Sequence, residues 1–282
     1  HSLVIGAQTE KDRICALTCA DDEGIFTIRA KAFVDASGDA NLARLAGAKI
    51  TWGGERGQVQ AASLPFRLSG VDITKDMSPA AVKCAVEQAR NAGMEHLPRE
   101  SGFLLTLEGS QVVCALISSV MPEGLSAREL TRMEQELREQ AVSYAAALKR
   151  YMPGMEHSEL VMIGPSIGLR ETRRLVGRTQ LTGEDVLSRR RRADGIARGG
   201  WKPEIHRSMT KMATYLAVKE GSWFDIPMGA LQSETLENLY GAGRMVWADD
   251  TAFAAVRVMG TCFATGHAAG VAAALQADLG QM

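Results

Sequence analysis

Hydrophobic positions open the chain in three short runs, Leu3–Ile5, Ile14–Thr18 and Ile25–Ile28, separated by Asp12 and by the stretch Asp21–Gly24. Apolar and β-branched runs punctuated by turn formers predict a three-stranded meander. A fourth run, Ala32-Phe33-Val34-Asp35-Ala36, is of buried-strand type. It leads through Ser37-Gly38-Asp39 into Leu42, Ala43, Leu45 and Ala46. Asp39 stands where an N-cap belongs, and Gly47 where glycine closes a helix. This strand, glycine turn and short helix is the first candidate for function.

Alternating runs around Ala61–Leu68, Phe103–Leu107 and Val112–Ile117 predict sheet. Ser78-Pro79 opens a helix carrying Val82, Ala85, Val86 and Ala89, and Gly93 closes it. Ser126 and Glu129 have capping-box spacing. Behind them Leu130, Met133, Leu137, Ala141, Tyr144, Leu148 and Tyr151 repeat at three-to-four intervals until Pro153-Gly154. That stripe reads as core, with a partner-binding face as the alternative. Strand-like character returns at Leu160, and Trp223-Phe224-Asp225-Ile226-Pro227 follows later. The chain closes with a strand at Asn238–Ala242 and a small-residue helix from Gly260 to Leu275.

Length then sets the scale: 282 residues suggest about two structural units. The 32 basic and 33 acidic side chains nearly cancel, which gives no electrostatic case for nucleic acid or an anionic membrane. The apolar stretches are too broken for a membrane span, and no signal peptide is apparent. Arg189 to Arg192 form a basic run, read as a solvated loop or as a phosphate or partner patch. Cysteines at 15, 19, 84, 114 and 262 make no C-x-x-C pair, which fits reduced thiols in a cytoplasmic protein. His1 is no initiator and Leu3 already reads as strand, so the expectation is a fragment, or a chain whose first part is missing.

The closing segment carries the most specific chemistry. Asn238-Leu239-Tyr240-Gly241-Ala242-Gly243-Arg244 reads as a strand ending in glycines, where backbone approaches something closely. Arg257-Val258-Met259-Gly260-Thr261-Cys262-Phe263-Ala264-Thr265-Gly266 then starts a helix. Its first amides are unpaired and its dipole is positive there, which suits a phosphate or the electron-rich edge of a reduced flavin. Ala264, Gly266, Ala268, Ala269 and Gly270 keep the helix slim; ordinary Ala/Gly packing is the plain alternative.

These segments resemble the C-terminal FAD motif of the FAD-dependent oxidoreductases related to fumarate reductase and glutathione reductase. The Asp35-Ala36-Ser37-Gly38-Asp39 turn is similar to the same family's internal motif. Gly168-Leu169-Arg170-Glu171-Thr172-Arg173-Arg174, Leu181-Thr182-Gly183-Glu184-Asp185 and Phe224-Asp225-Ile226-Pro227 match further stretches in family order. The resemblance implies an α/β fold: a partial, glutathione-reductase-like FAD-binding domain with a β-meander, plus an inserted α+β substrate or cap domain. Residues 1–49 would be the middle portion of the FAD domain, 50–225 the insert and 226–282 the C-terminal portion. The family's G-x-G-x-x-G turn is not found, so a missing N-terminal segment or a separate chain is expected to complete the FAD site.

By the same resemblance FAD, held noncovalently or covalently, lies extended with Val4 beside the adenine. Ala36, Ser37 and Gly38 approach the adenosine diphosphate, and Gly243 and Arg244 lie along the ribityl-pyrophosphate. Arg244 is read as neutralising phosphate, and Met259, Gly260 and Thr261 sit at the isoalloxazine. Catalytic candidates are His206, as acid, base or substrate anchor against an ordinary loop histidine, and Arg170, as a carboxylate anchor against an internal ion pair. Arg173 and Arg174 are read as structural. A redox disulfide at Cys262 lacks a partner in sequence. Cys262 and His267 lie off a common helix face, which argues against a cysteine hydrolase. No metal-ligand grouping is seen. The function read here is hydride transfer between a small organic molecule and flavin; the alternative is a non-catalytic cap or assembly module. Substrate and electron acceptor are not legible, and a homo-oligomer is one of the assemblies left open.

Overall fold

The three opening runs form the expected meander in the computed structural model, which describes residues 1–54, 57–107 and 109–279. Strands β1 (Leu3–Glu10), β2 (Arg13–Asp21) and β3 (Gly24–Ile28) pair antiparallel in that order. Lys11 turns the first hairpin with a left-handed φ of 54°. β4 (Phe33–Asp35), α1 (Asn41–Leu45) and β5 (Ile50–Trp52) follow. Gly47 ends α1 as expected, at φ 73° with its amide on the Arg44 carbonyl. Asp39 is not the N-cap: Ala40 holds that place at φ 52°. The Asp35 carboxylate accepts the Ala43 amide at 2.9 Å instead, and the Asp39 carboxylate turns elsewhere.

β6 (Phe66–Ser69), α2 (Pro79–Asn91), β7 (Phe103–Thr106), β8 (Val113–Leu116), α3 (Ala127–Tyr151) and β9 (Glu159–Ile163) come next. The strands form an antiparallel sheet in the order β7-β8-β6-β9. The strand expected from Ala61 begins only at Phe66. Pro65 has no amide to donate, and Ala62 and Ser63 make single bridges to Val120 and Gly168. Ser78 caps α2 by accepting the Ala81 amide at 3.3 Å, and Pro79 fits the first turn. Ser126 accepts the Glu129 amide at 3.2 Å, but the Glu129 carboxylate bonds Arg132 and the Glu123 amide, so only half of the expected capping box forms.

The predicted stripe on α3 is core. Met133, Leu137, Ala141, Tyr144 and Leu148 are fully buried. Tyr144 and Leu148 join Val82 and Val86 of α2 and Phe66, Leu68 and Val113 of the sheet in one cluster. Each large side chain so buried contributes roughly 1.5–3 kcal/mol before entropy.

The remaining elements are β10 (Arg173–Leu175), α4 (Gly183–Leu187), β11 (Gly195–Gly199), the two-residue strands β12 (Glu204–Ile205) and β13 (Thr214–Tyr215), β14 (Phe224–Pro227), β15 (Leu239–Gly241), α5 (Asp250–Val256) and α6 (Met259–Leu279). Thr182 and Asp185 cap α4 reciprocally, a box that the sequence reading missed. β10 returns antiparallel to β5, β11 pairs with β14, and β15 runs parallel to β4. Asn238, 1% exposed, ties that parallel pair in place. Its side chain bonds the amide and carbonyl of Ile14 and the carbonyl of Lys31, while its own carbonyl takes the Phe33 amide.

Two units result. One comprises residues 1–58, 171–205 and 215–282; the other comprises 59–170 and 206–214. The insert drawn at 50–225 is therefore too wide. Residues 171–205 return to the first unit because β10 and β11 find their partners there. Residues 55, 56 and 108 of that predicted insert, and 280–282 of the predicted C-terminal portion, lie outside the described residues. Arg174 is interior to the first unit, ion-paired with Glu171 and Asp250 and 4.1 Å from the Phe253 ring, as a structural arginine should be. Among the described residues no single helix is long and apolar enough to cross a membrane.

The Tyr144 hydroxyl accepts from the Arg99 amide at 2.6 Å and donates to the Arg99 carbonyl at 2.7 Å. Tyr144→Phe leaves both main-chain groups without that partner and should cost about 1–3 kcal/mol. Urea unfolding would show this as a lower midpoint at unchanged slope.

Candidate functional site

β4 and β15 end side by side, Asp35 opposite Gly241, and the turns that follow them build the site. In the first turn the Asp35 carboxylate, 2% exposed, accepts the amides of Ser37 at 3.0 Å and Ala43 at 2.9 Å. The Ser37 hydroxyl accepts the Asn41 amide at 3.0 Å. These bonds hold Gly38 at φ 78°, a conformation that side chains avoid. A Cβ on Gly38 would lie 2.4 Å from Nη2 of Arg244. The guanidinium therefore rests directly on the glycine.

In the second turn Gly243 takes φ 68° and donates its amide to Thr265 Oγ1 at 3.1 Å. Thr265, wholly buried on α6, donates in turn to the Cys262 carbonyl at 3.1 Å. Arg244 Nη2 lies 3.2 Å from Asp39 Oδ1, and the Thr172 hydroxyl donates to the same oxygen at 2.6 Å. The Arg244 Nε is buried with no bonded partner. The sequence reading named Thr172 and Thr265 only inside motifs and took Asp39 for a cap. Their roles depend on partners far away in sequence, and no local spacing announces them.

The start of α6 is open. Met259 is 77% exposed, and a Cβ on Gly260 would meet nothing within 4 Å; Thr261 is 4% exposed. Cys262 is the first residue of this helix whose amide reaches a carbonyl, that of Val258, at 2.9 Å. Arg257, just before the helix, donates to the Glu204 carbonyl at 2.8 Å, and burial pushes its guanidinium pKa downward. Burial likewise raises the Cys262 thiol. The slim-helix expectation holds in part: Ala268 and Ala269 pack inward, whereas Cβ atoms on Gly266 or Gly270 would meet nothing.

Val4, Ala36 and Ser37 line one groove of about 600 Å³ beside β4, together with Leu3, Phe33 and Arg44. The structure thus gathers Val4, Ala36, Ser37, Gly38, Gly243, Arg244, Met259, Gly260 and Thr261 within the first unit. Another cavity of about 600 Å³ lies along the later half of α6, near Tyr240, Val271 and Leu275, and none of those site residues lines it. Arg170 and His206 belong to the second unit. Arg170 donates to the Ala61 carbonyl at 2.5 Å and to the Ser63 hydroxyl at 3.0 Å. His206 is 8% exposed; its amide donates to Gln60 Oε1 at 3.1 Å and its carbonyl accepts the Ala61 amide at 2.8 Å. Arg173 donates to Asn41 Oδ1 at 2.7 Å. All five cysteines are free, and among the described residues no three His, Cys, Asp or Glu side chains are grouped to hold a metal.

A family model described as FAD dependent oxidoreductase matches residues 1–282. No curated protein matches the chain. Solved structures with some likeness include a geranylgeranyl bacteriochlorophyll reductase-like protein of Thermoplasma acidophilum, at 12% identity and TM-score 0.42, covering 98% of this chain and 48% of that one. The myxobacterial chondrochloren halogenase matches at 14% and 0.42, over 100% and 47%. The p-nitrophenol 4-monooxygenase of Pseudomonas putida DLL-E4 matches at 12% and 0.34, over 64% and 38%. The chain spans about half the length or less of these three proteins.

Gly38→Ala should lower stability by about 1–3 kcal/mol, because the new methyl is strained at positive φ and displaces Arg244. A denaturation midpoint equal to that of the wild type would show that the guanidinium moves aside freely. Thiol reactivity offers a second check. With its pKa raised by burial, Cys262 carries little thiolate at about pH 8.5, so iodoacetamide should alkylate exposed Cys84 first. Mass spectrometry of the modified peptides reads the order.

Proposed function

Because the chain belongs to the FAD-dependent oxidoreductase family, we propose that its first unit holds FAD extended across the carboxyl ends of β4 and β15, and that a small organic substrate exchanges hydride with it. One observation carries this reading. Two glycine turns at positive φ follow adjacent parallel strands, meet through Asp39 and Arg244, and lie beside an open helix start. Ligands of open parallel sheets bind at that end of the strands.

The residues present fit the cofactor. Gly243, half-buried at positive φ, brings bare backbone to the second turn, and the buried Nε of Arg244 is still without a partner. Val4, Ala36 and Ser37 all line the groove proposed for the adenine. The amides of Met259, Gly260 and Thr261 are donors for the ring edge that becomes negative on reduction; the dipole of α6 adds to them. Bound FAD supplies the two-electron chemistry. His206 and Arg170 are the candidates for proton transfer and for holding a substrate carboxylate, and both belong to the second unit, read as a substrate or cap domain.

A second reading, a module that completes its FAD site with a separate dinucleotide-binding chain, draws on β4. Among the described residues the edge of β4 away from β15 pairs with no strand.

Purified chain with a visible flavin absorbance band is the outcome expected for the enzyme; a folded but colourless chain favours the module. Thr261→Pro removes one amide at the helix start, and should lower the flavin midpoint potential and weaken FAD binding about tenfold. Unchanged binding and potential would sink the assignment of this helix to the ring.

A further inference from the structure

The basic run at Arg189–Arg192 divides in the structure. Arg190 and Arg192 reach the buried Asp185 carboxylate, and Arg192 also pairs with Asp194. Arg189 is buried and spends its guanidinium on the Gly200 and Trp201 carbonyls. Arg191 differs. Its guanidinium carbon lies 3.6 Å from the centre of the Trp223 ring, and it donates to the Trp223 carbonyl and the Ser222 hydroxyl. Arg198 of β11 lies over the same ring at 4.8 Å. Asp225 stands opposite Arg198 in the β11–β14 ladder, yet its carboxylate accepts the Arg192 amide at 3.0 Å. Among the described residues neither Arg191 nor Arg198 forms an ion pair.

Two guanidiniums without a carboxylate thus share one indole, and all three side chains are exposed. Contact with the ring orders the arginines and leaves N–H edges for an anion. Ordering them beforehand lowers the entropy lost when that anion binds. The two like charges also repel, and arriving carboxylates relieve the repulsion. A small free anion would leave the indole in water, whereas Trp and Arg together are the residues that dominate binding between proteins. The 32 basic and 33 acidic side chains of the chain leave no general excess of positive charge to draw nucleic acid.

We propose that Arg191, Arg198 and Trp223 form a docking point for an acidic segment of a partner protein. Carboxylates of that segment meet the two guanidiniums, and its apolar side chains cover the indole. The surface lies in the first unit, and the proposal stands apart from the reading of a flavin site.

Fluorescence anisotropy of a dye-labelled glutamate–tyrosine copolymer, titrated with the 282-residue chain at low salt, tests it. Arg191→Gln and Arg198→Gln should each weaken binding about fivefold. Arg190→Gln removes the same charge from a side chain that is 61% exposed but already paired with Asp185, and should change binding by less than about twofold. Trp223→Leu keeps every charge and should weaken the copolymer about threefold. Circular dichroism of each variant confirms the fold, and the two exposed arginine variants keep the test open if Trp223→Leu does not fold. Equal losses for Arg190→Gln and Arg191→Gln would mean attraction by net charge alone and overturn the proposal. Displacement of the copolymer by equimolar pyrophosphate, or equally tight binding of polyuridylate, would overturn it in favour of a phosphate or nucleic-acid site. Wild-type chain that leaves the copolymer unbound overturns it as well, and none of these results bears on flavin binding.

Discussion

Three residues of parallel pairing, Phe33–Asp35 against Leu239–Gly241, hold the site together. So short a ladder is weak alone, and parallel pairing is slightly less stable per residue than antiparallel. Its strength comes from the buried Asn238 side chain, which spends its donors and acceptor on Ile14 and Lys31. That amide locks the meander, the entry to β4 and the entry to β15 into one register. A shift of one residue would carry Asp35 away from the turn that it caps and Gly243 away from Thr265. The glycine turns are consequences of that register.

Charge is distributed on the same plan. Arg174 is buried and bonded to Glu171, Asp250 and the Ala248 carbonyl, so it stiffens the unit and presents nothing outward. Arg257 donates to a main-chain carbonyl near the start of α6. Arg244 is the intermediate case, balanced by one carboxylate yet still accessible. Three arginines close in kind thus do different work, and their carboxylate partners and burial decide which.

Much of the architecture was legible in the chain. The meander, α2 and α3 follow from periodicity and end residues, because those elements are stabilised by their own amphipathic faces and caps. The candidate cofactor residues from Val4 to Thr261 were named through motif resemblance, and all of them fall within the first unit. What the sequence concealed is whatever depends on distant partners. Asp39 satisfies every local criterion for an N-cap, yet Asp35 takes that work and releases it to meet Thr172 and Arg244. The insert was drawn too wide for the same reason: nothing within 171–205 shows that β10 and β11 belong with β5 and β14. Pro65, by contrast, was a visible signal against a strand running from Ala61, and the alternation there overrode it.

Asp39 meets its two partners across 133 and 205 residues of chain. The cost of closing such loops grows only with the logarithm of their length. The region between the two halves of this clasp can therefore lengthen, shorten or be rebuilt with little penalty to the clasp itself. What stands between them is largely the second unit. That unit can thus be remodelled while three fixed side chains keep the clasp in the first unit unchanged.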